Sequence, residues 1–220
     1  MKNESKDTKC DASDIPGVVF DPNKVIHVSN DPRIYAYEGF LTPEECDHFI
    51  QMGNAVGLER SQVAATESNS KSEARTSYGN FLNTGDDPIL KRVEERISLW
   101  SQLPVSNMEP FYLLRYQIGQ EYKAHFDYFD PTIRGMDRYI GKAGQRTCTI
   151  VMYLHTPEGG GETAFPTAGL MVPAVRTTAV MFWSHTVDHV LDPHSIHGSL
   201  PVTEGTKYCV TKWIRENRYG

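Results

Sequence analysis

The sequence predicts an α+β domain in which two or more N-terminal helices pack outside an antiparallel barrel or double sheet. Helix signals are confined to the first half of the chain, whereas apolar runs typical of strands, separated by Pro and Gly, dominate after residue 105. Helices and strands do not alternate strictly, which argues against a doubly wound parallel sheet. At 220 residues the chain is long enough to bury one sizeable core.

The N-terminus carries no structural signal of its own. Residues 1–9 are polar and lack the apolar centre of a signal peptide. We therefore expect residues 1–17 to form a flexible segment and residues 18–220 to form the folded domain. Short strands are expected from about Val18 onward, including residues 34–37.

The first helix has a clear beginning. Thr42 is a good N-cap, Pro43 suits the first turn, and Glu45 completes a capping box. A glycine often ends a helix, so Gly53 is the expected terminus.

A second helix is expected after the pair Asp87 and Pro88, which repeats this start signal. One face of it should be buried, because apolar residues recur at helical spacing: Leu90, Val93, Ile97 and Trp100. The polar segment 61–72 between the helices is either a mobile surface loop or a functional lid.

Strands are expected in the second half of the chain. Residues 111–116 form one candidate, and residues 146–155 form a continuous apolar run typical of a central strand covered on both faces. Further candidates are residues 171–172, 178–183 and 207–214.

Composition excludes several classes of protein. The net charge is −6 and no long basic run occurs, which argues against a nucleic-acid partner. No apolar stretch approaches transmembrane length, so we expect a soluble protein; the ER lumen and the cytoplasm both stay open. Four scattered cysteines do not form a disulfide framework, and Cys148 and Cys209 should be small buried apolar residues. A monomer or weak dimer is expected.

One pattern indicates metal chemistry. His125 and Asp127 are two residues apart, and in an extended strand such side chains point to the same face, with Phe126 packed behind them. A distant imidazole, His197, would complete a set of two histidines and one carboxylate. This set leaves part of the coordination sphere of Fe(II) open, as in non-haem oxygenases.

The pair alone is equally consistent with two structural residues, a hydrogen-bonded histidine in a strand and an aspartate in a turn. The residues around the pair therefore decide the interpretation. An ordered set lies downstream: His197, Gly198, Pro201, Val202, Gly205, Lys207 and Trp213. His194 is a competing third ligand, but its spacing to Lys207 would turn its side chain to the other face of a continuing strand.

Together these residues resemble the 2-oxoglutarate/Fe(II)-dependent prolyl 4-hydroxylases, both the small single-domain members and the collagen-type catalytic domain. The likeness covers about residues 30–216 and includes the start of the first helix at residues 39–46, Arg75-Thr76-Ser77-x-Gly79 and residues 160–166. It implies a double-stranded β-helix (jelly roll) and a dioxygenase that hydroxylates proline with O2 and 2-oxoglutarate, giving succinate and CO2. It also implies binding of L-ascorbic acid as reductant, and a proline-rich or collagen-like peptide or protein as partner.

The resemblance assigns roles position by position. The iron ligands become His125, Asp127 and His197, and the lysine that binds 2-oxoglutarate becomes Lys207. Tyr116, Thr163 and Trp213 would line the cosubstrate pocket. The positions on the substrate side are Arg75, Glu109, Tyr122 and Arg146.

Two features depart from the family pattern. Residues 159–161 carry one glycine more than usual, and residues 128–145 have no clear match. A loop that closes over the site has a physical purpose in such an enzyme, and residues 61–77 are the candidate.

Two rival functions stay open. The first is another 2-oxoglutarate oxygenase that acts on lysyl side chains, free amino acids or alkylated nucleic acid. The second is a non-catalytic jelly-roll module that binds a structural metal or a sugar. Lys207 beside a complete triad argues against the second, because a structural metal site needs no lysine for a diacid and closes its coordination.

Overall fold

A large antiparallel sheet carries the helices on one face and a smaller sheet on the other. The computed structural model describes residues 20–62 and 73–220. The expected flexible segment 1–17 and all but two residues of the expected lid 61–72 lie outside the described residues. None of the helices in the described part of the chain is long and apolar enough to cross a membrane.

The strands of the described residues are, in chain order, β1 (Val25–Asn30), β2 (Arg33–Tyr37), β3 (Glu59–Arg60), β4 (Tyr78–Leu82), β5 (Phe111–Tyr116), β6 (Tyr122–His125), β7 (Arg146–His155), β8 (Gly159–Gly160), β9 (Thr163–Phe165), β10 (Leu170–Val172), β11 (Ala179–Trp183), β12 (His197–Ser199), β13 (Val202–Glu204) and β14 (Lys207–Arg215). The large sheet has the order β1-β2-β11-β7-β14-β5-β4-β3, and the smaller one β10-β9-β12-β6. A short pair, β13 and β8, stands beside them.

The first helix, α1 (Pro43–Val56), begins where the capping box predicts. Thr42 Oγ1 accepts from the Glu45 backbone N–H at 3.2 Å, and Glu45 Oε2 accepts from the Thr42 N–H at 3.0 Å. The predicted end at Gly53 is wrong, since Gly57 with φ 84° follows the last helical residue. Gly53 instead lets the helix approach the sheet, because a Cβ there would lie 2.7 Å from Leu113 Cδ2.

The second helix, α2 (Pro88–Ser101), also begins as predicted, and Asp87 Oδ1 accepts from the backbone N–H groups of Ile89 and Leu90. All four residues of its predicted apolar face are buried. The short helix α3 (Asp137–Ile140) lies in the segment that has no match in the family pattern.

Two apolar layers hold these elements together. One lies between the helices and the large sheet and includes Phe49, Ile97 and Ile150. The other lies between the two sheets and includes Tyr153 and Phe165. Burial of such side chains stabilises the fold by about 1.5–3 kcal/mol each. Two facing antiparallel sheets with helices on the outer face of one confirm the predicted α+β jelly-roll architecture.

Candidate active site

A cavity of about 1090 Å³ lies between the two sheets and is open to solvent. Every residue to which the sequence assigns a role at the site lines this cavity: Arg75, Glu109, Tyr116, Tyr122, His125, Asp127, Arg146, Thr163, His197, Lys207 and Trp213. These side chains come from six strands and the loops between them. The tertiary structure therefore brings together what the sequence leaves up to 138 positions apart.

The three candidate metal ligands converge at one point. Strand pairing places His197 directly opposite His125. One ligand atom from each of His125, Asp127 and His197 lies within 4.8 Å of the others. The Nε2 atoms of the two imidazoles are each 3.6 Å from an oxygen of Asp127. Neither contact is a hydrogen bond, so the three groups face one another across a gap.

The route by which Asp127 reaches the site differs from the prediction. Strand β6 ends at His125, and Asp127 lies in a bend two residues beyond, so strand alternation does not explain the convergence. Phe126 does not pack behind the pair either. Its side chain is 36% exposed and stacks on Tyr128 at a centroid distance of 4.6 Å.

Backbone carbonyls fix the orientation of both imidazoles. His125 Nδ1 lies 2.9 Å from the Lys123 carbonyl oxygen, and His197 Nδ1 lies 3.0 Å from that of Ser195. A carbonyl oxygen only accepts, so each Nδ1 carries a proton and each Nε2 is left to face Asp127. Burial lowers the pKa of His197 to about 4, which keeps its imidazole neutral and able to ligate.

Asp127 is held by one further donor. Thr149 Oγ1 donates to Asp127 Oδ2 at 2.7 Å, inside a buried environment. Burial by itself would raise the pKa of Asp127, but the neighbouring imidazoles and the charge of Arg146 outweigh it and lower the pKa. Two imidazoles and one carboxylate, open toward a cavity, are the donor set that suits Fe(II) in an oxygenase.

The competing ligand, His194, is turned away from the cavity. It lies in a short 3-10 turn, is exposed, and its Nδ1 is 2.7 Å from Asp31 Oδ1. The register reason for rejecting it does not apply, because β12 ends at Ser199 and the strand does not continue to Lys207. His194 and His197 point to different places because His194 belongs to the 3-10 turn Pro193–Ser195, which precedes the strand of His197.

Lys207 faces the metal ligands from the opposite sheet. Its side chain is 1% exposed, and Nζ donates to the Gly161 carbonyl oxygen at 2.7 Å and to Ser199 Oγ at 3.0 Å. The aromatic faces of Tyr116 and Tyr153 lie 5.1 and 5.6 Å from Nζ. Burial lowers the pKa of Lys207. A buried ammonium with only neutral hydrogen-bond partners is suited to an anion that enters the cavity.

The other residues expected to line the cosubstrate pocket also lie on the wall of the cavity. Tyr116 pairs with Lys207 across β5 and β14, and burial raises the pKa of its phenol. Thr163 Oγ1 bonds to the Tyr153 hydroxyl at 2.8 Å. Trp213 is buried, and its Nε1–H has no acceptor among the described residues. Tyr116 and Thr163 thus supply neutral polar groups near Lys207, whereas Trp213 lies six residues further along β14, under the guanidinium of Arg146.

Four residues line the outer part of the cavity. The guanidinium of Arg75 lies 4.5 Å from the ring of Tyr122, which stacks on His125 at 3.5 Å. Arg146 binds both oxygens of Glu109 at 2.7 Å and covers the Trp213 ring at 3.8 Å.

Glu109 is more enclosed than a direct substrate contact requires. Arg215 Nη1 also donates to it at 2.9 Å. Burial would raise the pKa of Glu109, but the two guanidinium groups outweigh it and lower the pKa. Its carboxylate therefore holds Arg146 and Arg215 in place.

Sequence reasoning missed several supporting groups. Ser199 was detectable, because it stands two residues after His197 in a strand and shares its face. Thr149 carries no such signal, since it lies within an apolar run and meets Asp127 only in the fold. The Gly161 carbonyl accepts from Lys207 and Arg215 donates to Glu109, and sequence alone shows neither contact.

Known proteins of one family are similar to this chain. The family model of the 2OG-Fe(II) oxygenase superfamily matches residues 111–215. The chain is 40% identical to probable prolyl 4-hydroxylase 4 of Arabidopsis thaliana over 92% of its length and 74% of that protein. It is 37% identical to prolyl 4-hydroxylase 2 of the same plant, over 93% and 74%.

A solved structure gives the same result for the fold. The viral collagen prolyl hydroxylase of Paramecium bursaria Chlorella virus-1, in its 2OG complex, superposes with a TM-score of 0.67 and 27% identity, covering 83% of this chain and 95% of that one. The chain belongs to the prolyl 4-hydroxylase family within the 2OG-Fe(II) oxygenase superfamily.

Proposed function

We propose that the protein hydroxylates C4 of proline residues in peptides or proteins, consuming O2 and 2-oxoglutarate and releasing succinate and CO2. One observation carries this proposal. Two imidazoles, a carboxylate and a buried ammonium line the same cavity in a chain of the prolyl 4-hydroxylase family. The C–H bond of proline is unactivated; O2 is the oxidant, and Fe(II) and 2-oxoglutarate would supply the chemistry that activates it, which side chains lack.

His125, Asp127 and His197 would hold the iron. The carbonyls of Lys123 and Ser195 fix the imidazole tautomers, and Thr149 orients the carboxylate. This support keeps the ligands in place before the metal arrives, which reduces the cost of ordering them. Three protein ligands leave the other positions for cosubstrate and O2.

Lys207 would bind the far carboxylate of 2-oxoglutarate. The ammonium is already fixed by Gly161 and Ser199, so pairing requires little reorganisation. Tyr116, Thr163 and Trp213 would enclose the cosubstrate and exclude water. Ascorbate is the expected reductant for iron that becomes oxidised without product formation.

The substrate is a proline-containing polypeptide, with proline-rich and collagen-like sequences as the candidates. Relatives named prolyl 4-hydroxylase and a neighbour named collagen prolyl hydroxylase support this class. In the cavity, Arg75, Tyr122 and Arg146 present aromatic and guanidinium faces beside the metal ligands. Such faces suit the rings and exposed carbonyls of an extended polyproline II segment.

The test is turnover of 2-oxoglutarate with Fe(II), with and without a proline-rich peptide. We expect the peptide to stimulate succinate release and to gain one oxygen atom by mass spectrometry, at C4 of proline by NMR. The Asp127→Ala variant should lose both signals. Oxygen incorporation at lysine, or into free amino acids alone, would contradict the proposal, and absence of any turnover would favour a binding module.

A further inference from the structure

The cavity is strongly cationic, although the whole chain has a net charge of −6. Of the described residues, nine Lys and Arg line it, against three acidic residues, Glu59, Glu109 and Asp127. The rest of the chain holds 13 Lys and Arg against 25 Asp and Glu. The nine basic residues are Arg60, Arg75, Lys123, Arg138, Lys142, Arg146, Lys207, Arg215 and Arg218.

Cofactor loading does not remove this excess. The charges of Fe(II) and of the 2-oxoglutarate dianion cancel, and so do those of Asp127 and Lys207. Glu109 is shared between two arginines. Six basic residues and Glu59 remain. Among the described residues, no carboxylate forms an ion pair with five of the six, Arg60, Arg75, Lys123, Lys142 and Arg218. The surplus therefore faces whatever enters the outer cavity.

Three aromatic side chains, Trp213, Tyr112 and Phe81, form one surface of the cavity, here called the aromatic floor. Basic residues of the cavity lie at both of its ends. Trp213 on β14 is stacked with Tyr112 on β5 at 5.8 Å, and Tyr112 contacts Phe81 on β4 at 4.6 Å. Phe81 is 48% exposed, so the floor is open to a ligand. The aromatic groups run across three neighbouring strands, toward Arg60 on β3.

At the other end, the side chain of Asn217 donates to the Lys142 carbonyl oxygen at 3.3 Å, which places Lys142 and Arg218 close together. β14 and β3 are three strand spacings apart, roughly 14 Å. Arg60 is level with Tyr208 on β14, and Trp213 is five residues further along that strand, roughly 17 Å. The diagonal from Trp213 to Arg60 is therefore roughly 22 Å, the length of about seven residues of a polyproline II segment.

We propose that this cavity selects an acidic proline-containing peptide, with Asp or Glu within about seven residues of the target proline on either side. The inference rests on the proposed function and adds the charge of the substrate. A peptide is favoured over a nucleic acid because the aromatic floor continues from the candidate site of a prolyl 4-hydroxylase. Opposite charges would attract the peptide and fix its register.

The experiment compares three peptides of equal length that share one proline-rich centre and carry Glu, Ser or Lys flanks. We expect kcat/KM to fall in that order, by about fivefold for each charged flank. The difference should shrink at high salt, because salt screens exposed charges. Equal kcat/KM for the three peptides would overturn the inference while leaving prolyl hydroxylation intact. Failure of every peptide would instead overturn the proposed function.

Charge-reversal variants identify which basic residues cause the preference for the Glu peptide. Arg60→Glu, Lys142→Glu and Arg218→Glu should each reduce the preference for the Glu peptide over the Lys peptide by severalfold. The matched control is Lys24→Glu, an exposed lysine outside the cavity, which should keep the wild-type preference. An unchanged preference in all three cavity variants would overturn the inference. So would stronger competition by a single-stranded oligonucleotide than by the Glu peptide.

Discussion

The ammonium Nζ of Lys207 lies 3.0 Å from the hydroxyl Oγ of Ser199, a contact that joins the two sheets across the cavity. Ser199 shares strand β12 with His197, whereas Lys207 begins β14 in the opposite sheet. One hydrogen bond thus ties the strand of a candidate metal ligand to the cation that faces it. The separation between the metal site and the cation, and with it the length of the diacid that fits, is set by how the sheets pack.

Removal of that cation should weaken 2-oxoglutarate binding. Lys207→Met keeps much of the volume but loses a charge-assisted hydrogen bond worth about 1.5–3 kcal/mol, so the Kd should rise about 10- to 100-fold. Calorimetric titration with 2-oxoglutarate under anaerobic conditions measures this Kd. The control is Lys212→Met, a second buried lysine on β14 that pairs with Glu94 at 2.5 Å. The Lys212→Met control should lower the stability of the protein and leave the Kd for 2-oxoglutarate nearly unchanged. An unaltered Kd in Lys207→Met would contradict the assignment of Lys207 to 2-oxoglutarate binding.

The two neighbouring histidines should differ in metal binding. His197→Ala removes a buried imidazole aimed at Asp127, whereas His194→Ala removes an exposed one that pairs with Asp31. We expect the first variant to lose stoichiometric Fe(II) and turnover and the second to keep both. Metal analysis after anaerobic loading checks this. The opposite result would transfer the third ligand to His194.

Thr149 should raise the affinity of the site for Fe(II) although it is not itself a candidate ligand. Thr149→Val preserves shape but removes the donor to Asp127 Oδ2, and loss of such an orienting bond typically lowers metal affinity about 10- to 100-fold. Thr147→Val is the matched control, because that hydroxyl donates to the Ile214 carbonyl instead. Anaerobic Fe(II) titration of both variants provides the measurement. Equal affinity in the two variants would show that Thr149 has no part in positioning the carboxylate.

Glu109 should contribute pH-dependent stability. Its folded-state pKa is lowered, so its stabilisation is present above the ordinary carboxyl pKa and is lost as the pH falls through the folded-state value. Glu109→Gln leaves two arginines without their counter-charge and should cost about 3–5 kcal/mol at neutral pH.

Urea denaturation at neutral and acidic pH tests this prediction. The difference between wild type and Glu109→Gln should shrink in acid, because the wild-type carboxylate is then protonated as well. Glu204→Gln, at an exposed position on β13, should show no comparable loss at either pH. A difference that does not depend on pH would mean that packing, and not charge, accounts for the cost.

The sequence by itself determined the local elements and the chemistry available at the site. The caps at Thr42 and Asp87 and the strands β5 and β7 follow from neighbouring residues, because capping bonds and continuous apolar runs involve only a few positions. Motif spacing identified the side chains that line the cavity, since a metal and a diacid demand particular donors in a particular order.

Only the tertiary structure decided how these donors meet. Asp127 reaches the site from a bend and not from a strand, His194 is turned outward by a 3-10 turn, and Gly53 serves close packing instead of ending α1. The concentration of positive charge around the cavity is likewise invisible in a chain with net charge −6. The reason is physical: contacts between distant strands depend on how whole sheets pair and pack, and local sequence patterns carry no record of that geometry.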